Sequence, residues 1–463
     1  MKTQTQGADK TEVARKYLQA TCWMVLLSQP AFGALGLSTQ SFTHNASEMG
    51  ELLLEANAFL RESGSRGNSL YTLTVHPDFK MESEHFTGRI DLYAVTLISD
   101  RSSFTLDPKQ AYLATSREFT GNHELGFGRR DLSLSAMDAF WKTGTWTPRF
   151  LWSPMKPENM GTFAGYYQFE RNAFRFVAYG SPFSIPERGY PVQTINGQLT
   201  SSSPDWVPPF KELSLLGQKV DIQYELIYPE MRELLLEPTY GVHARYGNST
   251  GFWIQGGVAQ MPLHQVELAL DASLKASTMT LDAKIHPRRN AHLLSTLETG
   301  YQGENFGIWG SYTRENLLAM SRSPEEAEWI AAPMGPSQLA SLGVQTSFMQ
   351  GMRLDLSWLW VQESLPAPVP GEITLTTPSR YPFEQAARFR AIYSGYSPVR
   401  YAVEWTLDIP NQSSLTTLDL EYGHRSGITL GVGADMISSS TGQGFIGQYF
   451  GNDRVRGRIA YAF

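Results

Sequence analysis

The segment MRLDLSWLWV, residues 352–361, alternates apolar and polar side chains along most of its length. Apolar residues occupy every second position from Met352 to Trp360, and Arg353, Asp355 and Ser357 stand between them. Successive side chains of a β-strand point to opposite faces of the sheet. The segment therefore predicts a strand with one apolar face and one face that is polar through its first half.

The same alternation recurs along most of the chain, for example at 220–226, 266–270, 400–409 and 428–436. A strand that crosses a bilayer at a tilt needs about nine to eleven residues, whereas strands of soluble proteins average about five to six. The longer runs match the first figure, which favours a membrane barrel over a soluble sandwich, solenoid or propeller. A sheet can span a bilayer only when it closes, because every backbone group must be paired within the protein.

Counting these runs gives about 21 candidate strands from residue 69 onward, including runs at 217–228, 264–272, 278–286 and 443–450. Barrels of this kind usually have an even number of strands. The count also places the long 362–383 connection on the side where turns should be short, so we expect a miscount between 362 and 463. We predict an all-β, transmembrane, antiparallel up-and-down barrel of about 18 strands, within a range of roughly 16 to 20.

The composition excludes other classes. The 463 residues are 18% charged and 12% aromatic, with a mean hydropathy of −0.28. No run approaches the roughly 18 to 20 apolar residues of a membrane helix. The net charge of −7 and the pI near 5.8 argue against binding of nucleic acid, which needs a basic surface.

The first 68 residues differ from the rest. Residues 1–33 have a basic start, a short apolar run around Cys22 and small residues at 31–33, which is typical of a cleaved signal peptide. Residues 45–48 resemble a capping box, and apolar residues follow at helical spacing over 49–60. We therefore expect a short amphipathic helix, periplasmic or plugging the lumen, within a segment 34–68, and a barrel over 69–463.

The last nine residues, Val455 to Phe463, carry Tyr461 and Phe463 on one face of a strand. This end resembles the terminal strand of Gram-negative outer-membrane β-barrel proteins, in which it is a signal read by the barrel-assembly machinery. The resemblance implies an outer-membrane location and contact with that machinery and with outer-membrane lipids.

A second resemblance covers about forty residues and concerns porin-like barrels. Those barrels show a Q-A-Y-L strand, a strand that ends in G-R-Q and a tryptophan-bearing loop. The matching residues here are Gln110-Ala111-Tyr112-Leu113, Leu125 to Arg130, Asp138, Trp141, Trp146, Pro148 and Arg149. Arg130 stands where glutamine is common.

Charged residues on the polar faces of the strands are the candidates for lining a pore. They are Arg175, Asp221, Glu225, Glu267, Asp271, Arg353, Asp355, Arg388, Arg390, Arg400, Glu404 and Asp408. Their mixed signs fit a selective aqueous channel, and they also fit a closed lumen filled by ion pairs.

We therefore expect a porin-like channel for small hydrophilic solutes. The alternative is a non-conducting barrel that serves as a structural or docking subunit of a secretion, adhesion or motility complex. Long connections at 136–160, 182–216, 315–337 and 362–383 offer surface for such envelope partners, and the second of them could also fold into the pore. The scattered histidines and the absence of H-E-x-x-H and G-x-S-x-G motifs argue against an enzyme, and we expect no cofactor and no metal.

Overall fold

The computed structural model covers the barrel and most of its connections. It describes residues 50–60, 69–98, 100–189, 191–201, 203, 205, 207, 209, 211–215, 218–248, 250–275, 277–318, 329–330, 334–348, 351–365, 380–395, 398–424 and 426–462. The predicted signal peptide, the capping box at 45–48 and Phe463 lie outside these residues.

Eighteen antiparallel strands form one closed barrel, which confirms the predicted fold class. Numbering runs through every strand of the chain, including those outside the barrel. The barrel strands are β1 (Gly50–Phe59), β2 (Ser69–Glu82), β3 (Phe86–Leu97), β4 (Asp100–Thr115), β5 (His123–Arg130), β8 (Thr162–Arg171), β9 (Phe174–Ser181), β15 (Thr239–Tyr246), β16 (Gly251–Pro262), β19 (Ala291–Gln302), β20 (Phe306–Leu317), β21 (Ser337–Phe348), β22 (Met352–Glu363), β23 (Gln385–Tyr393), β24 (Val399–Asp408), β25 (Ser413–Gly423), β26 (Ile428–Ser439) and β27 (Arg454–Ala462). Each pairs with its neighbour in this order, and β27 closes the ring on β1.

The outer face of the barrel is apolar and the inner face is mostly polar. On β22, Leu356 and Trp358 are 56% and 47% exposed on the outside, whereas Asp355 and Ser357 are 3% and 2% exposed on the inside. Exposed apolar side chains continue around the barrel, as at Leu342. Such a surface is stable against lipid and unfavourable in water.

The two ends of the barrel differ in their connections. At one end the strands are joined by short turns, such as 83–85, 172–173 and 303–305. At the other end lie the long connections 131–161, 182–238 and 263–290, among others. Because the strand number is even, β1 begins and β27 ends at the short-turn end. The strand count therefore places 364–384 at the long-loop end, which resolves the conflict that the sequence raised.

The connections carry short elements of their own. The helices are α1 (Arg117–Thr120), α2 (Ala136–Trp141), α3 (Met231–Leu235) and α4 (Gly444–Gly447). The additional strands are β6 (Arg149–Leu151), β7 (Glu158–Asn159), β10 (Arg188–Gly189), β11 (Val192–Ile195), β12 (Gln198–Ser201), β13 (Glu212–Leu215), β14 (Gln218–Leu226), β17 (Glu267–Lys275) and β18 (Thr280–Arg288). Within the described residues, no helix is long and apolar enough to cross a membrane.

Four of the predicted strands are not part of the barrel. The runs at 217–228, 264–272 and 278–286 correspond to β14, β17 and β18, which form a separate four-stranded sheet with β13. Their alternating apolar and polar residues do form β-strands, but these strands belong to a sheet built from two long connections. The run at 443–450 contains α4 instead of a strand, and this is the miscount expected between 362 and 463.

The predicted helix over 49–60 is wrong, because residues 50–59 form β1. This strand pairs with β2 and β27, so the barrel begins at Gly50 and not at residue 69. Leu52 faces outward with Tyr461, whereas Leu53 faces inward against the apolar cluster around Phe150. Apolar residues on both faces of a strand produced the spacing that resembles a helix.

Candidate functional site

The connection 131–161 between β5 and β8 folds into the lumen. Its hydrogen-bond partners lie on β3, β9, β19, β21, β22 and β23, which are spread around the barrel. A single segment can reach strands on opposite sides of a barrel only from the inside. We call residues 131–161 the inserted segment.

Helix α2 of the inserted segment is held by Glu298 on β19. The carboxylate of Glu298 accepts hydrogen bonds from the backbone N–H groups of Ala136 and Met137, at 2.7 and 3.3 Å, and from the Ser135 hydroxyl at 2.6 Å. The first N–H groups of a helix have no partner within the helix, and the helix dipole favours a negative charge there. Glu298 is fully buried, so the barrel wall itself caps this helix.

The turn after α2 is organised around Asp138. The carboxylate of this residue, 1% exposed, accepts from the backbone N–H groups of Gly144 and Thr145 at 2.9 and 3.2 Å and from those of residues 146 and 147. The hydroxyls of Thr143 and Thr147 add two more hydrogen bonds. Gly144 has a φ of +75°, and a Cβ there would collide with Glu187 and Arg149. The inserted segment is thus a fixed structure.

Apolar side chains fill the long-loop end of the lumen. Ser341 and Ser357 each accept a hydrogen bond from the Trp141 indole at 3.0 Å, which places this ring against β21 and β22. The main cluster consists of Met137, Trp141, Met155, Leu339, Leu359, Val361, Tyr381, Phe383, Ala386, Leu415, Ile437, Ile446 and Tyr449. Insertion of 131–161 therefore gives this part of the barrel a hydrophobic core.

Charged side chains line the short-turn half of the lumen on β22 to β27. Among them are the predicted pore residues Arg353, Asp355, Arg388, Arg390, Arg400 and Glu404, which the barrel brings onto neighbouring strands. The Arg353 guanidinium lies 2.9 Å from Asp355, and Glu404 lies 3.6 Å from both Arg388 and Arg390. The side chains of Arg353, Arg390 and Glu404 are 39%, 35% and 36% exposed, so water reaches this wall.

Two other predicted pore residues lie on barrel strands but away from this wall. Asp408 is fully buried near the long-loop end, where it accepts hydrogen bonds from the Asn411 amide at 3.0 and 3.2 Å. Arg175 lies on β9 and donates to the backbone carbonyl of Leu132 in the inserted segment at 3.1 Å.

The remaining four predicted pore residues are not on the barrel. Asp221 and Glu225 lie on β14, and Glu267 and Asp271 lie on β17, in the four-stranded sheet of the long connections. Glu267 is 5% exposed and pairs with Arg288 at 2.7 Å. The prediction that they point into the lumen from barrel strands is wrong, because β14 and β17 belong to the separate sheet and not to the barrel.

Sequence reasoning missed the two carboxylates that fix the inserted segment. Glu298 lies between Leu297 and Thr299 on an ordinary barrel strand, so the sequence gives no sign of its special role. Asp138 belongs to the tryptophan-bearing loop that resembles porin-like barrels, and this resemblance is the sequence signal that could have indicated its role. Tyr461 faces outward on β27, and its suggested role as an assembly signal stays a prediction.

A small cavity of about 20 Å³ remains between the inserted segment and the long connections. Arg149 and Glu187 meet there in a two-pronged ion pair at 2.5 and 2.8 Å. Burial lowers the pKa of the neighbouring His264 well below its ordinary value, with Arg289 adding to the effect, so the imidazole is neutral at pH 7. Over the residues described by the structure, no group of three or more His, Cys, Asp or Glu side chains could hold a metal.

No family model matches the sequence, and no curated protein matches it. Similar solved structures include OccAB3 of Acinetobacter baumannii, at 10% identity and a TM-score of 0.45 over 89% of this chain and 98% of that one. A BenF-like porin from Pseudomonas fluorescens Pf-5 has 9% identity and a TM-score of 0.47 over 89% and 96%. Pseudomonas aeruginosa OccK10 (OpdN) has 11% identity and a TM-score of 0.43 over 90% and 99%.

Proposed function

We propose that this chain is an outer-membrane channel for small hydrophilic solutes in a Gram-negative bacterium. One observation carries the proposal. The lumen of an 18-stranded barrel is narrowed by the inserted segment, and a half-exposed wall of paired charges lines its short-turn half. Barrels of about 16 to 18 strands are wide enough to leave an aqueous path.

The outer surface supports a membrane location. Apolar side chains such as Leu342 and Phe252, 65% and 63% exposed, face outward around a closed ring of paired backbone. Short turns at one end and long connections at the other are typical of outer-membrane barrels, in which the turns are periplasmic. The long connections then face the outside of the cell.

The charges on β22 to β27 set which solutes can pass. Opposite charges on neighbouring strands offer hydrogen bonds and ion contacts to a hydrated polar solute. An apolar solute would have to displace water from Arg390 and Glu404 without replacing its hydrogen bonds, which is costly. The channel is therefore expected to favour polar solutes small enough to pass the inserted segment.

Reconstitution in a planar bilayer tests the channel directly. The full chain is refolded in detergent, its folding is checked by heat-modifiable migration on a gel, and current is recorded in KCl. Stable conductance steps are expected. A folded barrel that inserts but stays silent would refute the channel and support the alternative, a docking subunit for an envelope complex that uses the long connections.

We also propose that the barrel-assembly machinery reads the C-terminal strand. β27 is the strand that closes the ring on β1, and Tyr461 lies on its lipid-facing side. Removing Phe463 and replacing Tyr461 with serine should lower the amount of barrel in the outer membrane, measured by fractionation. Unchanged amounts would contradict this role.

A further inference from the structure

Two arginines on the wall made by β9 and β15 lie directly opposite each other. Arg175 and Arg245 are register partners across this strand pair. Both point into the lumen, and both are half-buried. Like charges directly opposite each other on neighbouring strands destabilise a sheet, so this arrangement needs an explanation.

Among the residues that the structure describes, neither arginine has a carboxylate partner. The other arginines that the described barrel strands direct into the lumen each have a carboxylate oxygen within 4.0 Å. For Arg175 and Arg245 the structure shows no such oxygen. The acids near them are already engaged: Glu170 pairs with Arg117 at 2.6 Å, and Glu298 caps α2.

The contacts of these two guanidiniums leave part of their capacity to donate hydrogen bonds unused. Arg175 donates only through Nη2, to the Leu132 carbonyl at 3.1 Å and to Gln168 at 3.4 Å, and its Nε–H is buried without a partner. Arg245 lies over the Trp253 ring at 4.8 Å and has one long contact, 3.5 Å, to Gln255. Each guanidinium can donate up to five hydrogen bonds.

A third polar group completes the cluster. His243 is two residues from Arg245 on the same face of β15 and is 2% exposed. Its Nε2 has no hydrogen-bond partner. Buried polar atoms without partners are uncommon and costly, and two of them, on Arg175 and His243, lie close together here.

We infer that Arg175 and Arg245 form a binding site for an oxyanion, the carboxylate or phosphate group of a solute in the lumen, with His243 beside it. The oxygens of such a group would separate two like charges and accept from the unused N–H groups, and charge-assisted bonds of this kind are the strong ones. The inference rests on the proposed channel, and it locates anion recognition opposite the self-paired charges of β22 to β27.

Calorimetric titration of the refolded full-length barrel in detergent tests the site, with succinate and inorganic phosphate as separate probes. Binding of at least one probe is expected, and the double variant Arg175→Gln/Arg245→Gln should weaken it at least tenfold. The matched control is Arg89→Gln, which removes an inward-facing arginine of β3 that already pairs with Asp78 at 2.7 Å, and it should change the affinity less than twofold. Succinate and phosphate distinguish a carboxylate site from a phosphate site, and loss of either in the double variant supports the inference.

Absence of binding by both probes, or equal binding by the wild type and the double variant, would overturn it. If the double variant does not fold, the single variants Arg245→Gln and Arg245→Lys replace it, and only the first should weaken binding by severalfold or more. Conductance in KCl separates this test from that of the channel. If the barrel conducts but binds neither probe, the oxyanion site is refuted and the proposed channel stands. If the barrel is silent but binds succinate or phosphate, the channel is refuted and the oxyanion site stands.

Discussion

The two ends of the lumen use the same kind of strand for different purposes. At the long-loop end, inward residues such as Leu359 are fully buried against the inserted segment. At the short-turn end, Arg353 lies near the start of β22, the strand that also carries Leu359, and stays 39% exposed beside Asp355. One end thus behaves as the core of a globular protein and the other as a wetted wall. In the proposed channel, the first end sets the width of the path and the second sets its selectivity.

The largest effect is expected from removal of the carboxylate that organises the inserted segment. Asp138→Ala leaves four backbone N–H groups and two hydroxyls without their acceptor. A single buried donor left without its acceptor costs about 1–3 kcal/mol, so several together should cost about 3–5 kcal/mol. We expect urea unfolding, followed by tryptophan fluorescence, to show a loss of this size and single-channel conductance to rise. A loss below about 1 kcal/mol would show that the segment is held by its apolar contacts alone.

The next effect compares the two faces of one strand. Leu359→Ala removes a fully buried side chain from the apolar cluster and should cost about 2–4 kcal/mol of unfolding free energy. Leu356→Ala, on the lipid-facing side of β22 and 56% exposed, is the matched control. It should cost less than about 1 kcal/mol in the same detergent, because little protein packing is lost. Equal losses would mean that the long-loop end is not a core.

A smaller effect is expected where the wall caps α2. Glu298→Gln keeps the size of the side chain and one acceptor oxygen but removes the charge at the start of the helix. Hydrogen bonds to charged groups are worth about 1.5–3 kcal/mol against about 1 for neutral ones, so a loss of about 1–2 kcal/mol is expected. Urea unfolding measures this loss, and an unchanged free energy of unfolding would contradict a role for the charge of Glu298.

The barrel could be predicted from the sequence because lipid and water impose a two-residue period on each strand. The closing strand β1 could not, since Leu53 and Phe59 on its inner face interrupt the alternation, and Leu53 packs against the apolar cluster around Phe150 of the inserted segment. Lipid on one face of a strand and water on the other select alternating apolar and polar residues. Where a protein core covers the inner face instead of water, that alternation is lost. Strand β22 shows the transition within one element, since its inner face changes from Arg353 to Val361.

The candidate site was only partly predictable for a related reason. Alternation indicates that a residue lies on the polar face of a sheet, but it does not identify the sheet. Asp221 and Asp271 follow the alternation, and they lie on the four-stranded sheet of the long connections. Which sheet a strand joins is decided by long-range pairing, such as the parallel pairing of β14 with β18. Arg175 and Arg245 are 70 residues apart in the chain, and they face each other because of the register between β9 and β15. No local sequence pattern predicts that register.

The smallest effect concerns the wetted wall. Glu404 lies 3.6 Å from both Arg388 and Arg390, and Glu404→Gln leaves two guanidiniums without their shared carboxylate. The permeability ratio of chloride to potassium, obtained from reversal potentials in a salt gradient, should rise by about twofold at 0.1 M salt, where charges act over about 10 Å, and by less at 1 M, where they act over about 3 Å. Asp408→Asn is the control, because it removes the same charge from a fully buried position near the other end of β24. The ratio should not change in that variant, since ions in the lumen do not contact this side chain. A similar rise in both variants would mean that the ion path follows the whole inner face and not the short-turn wall.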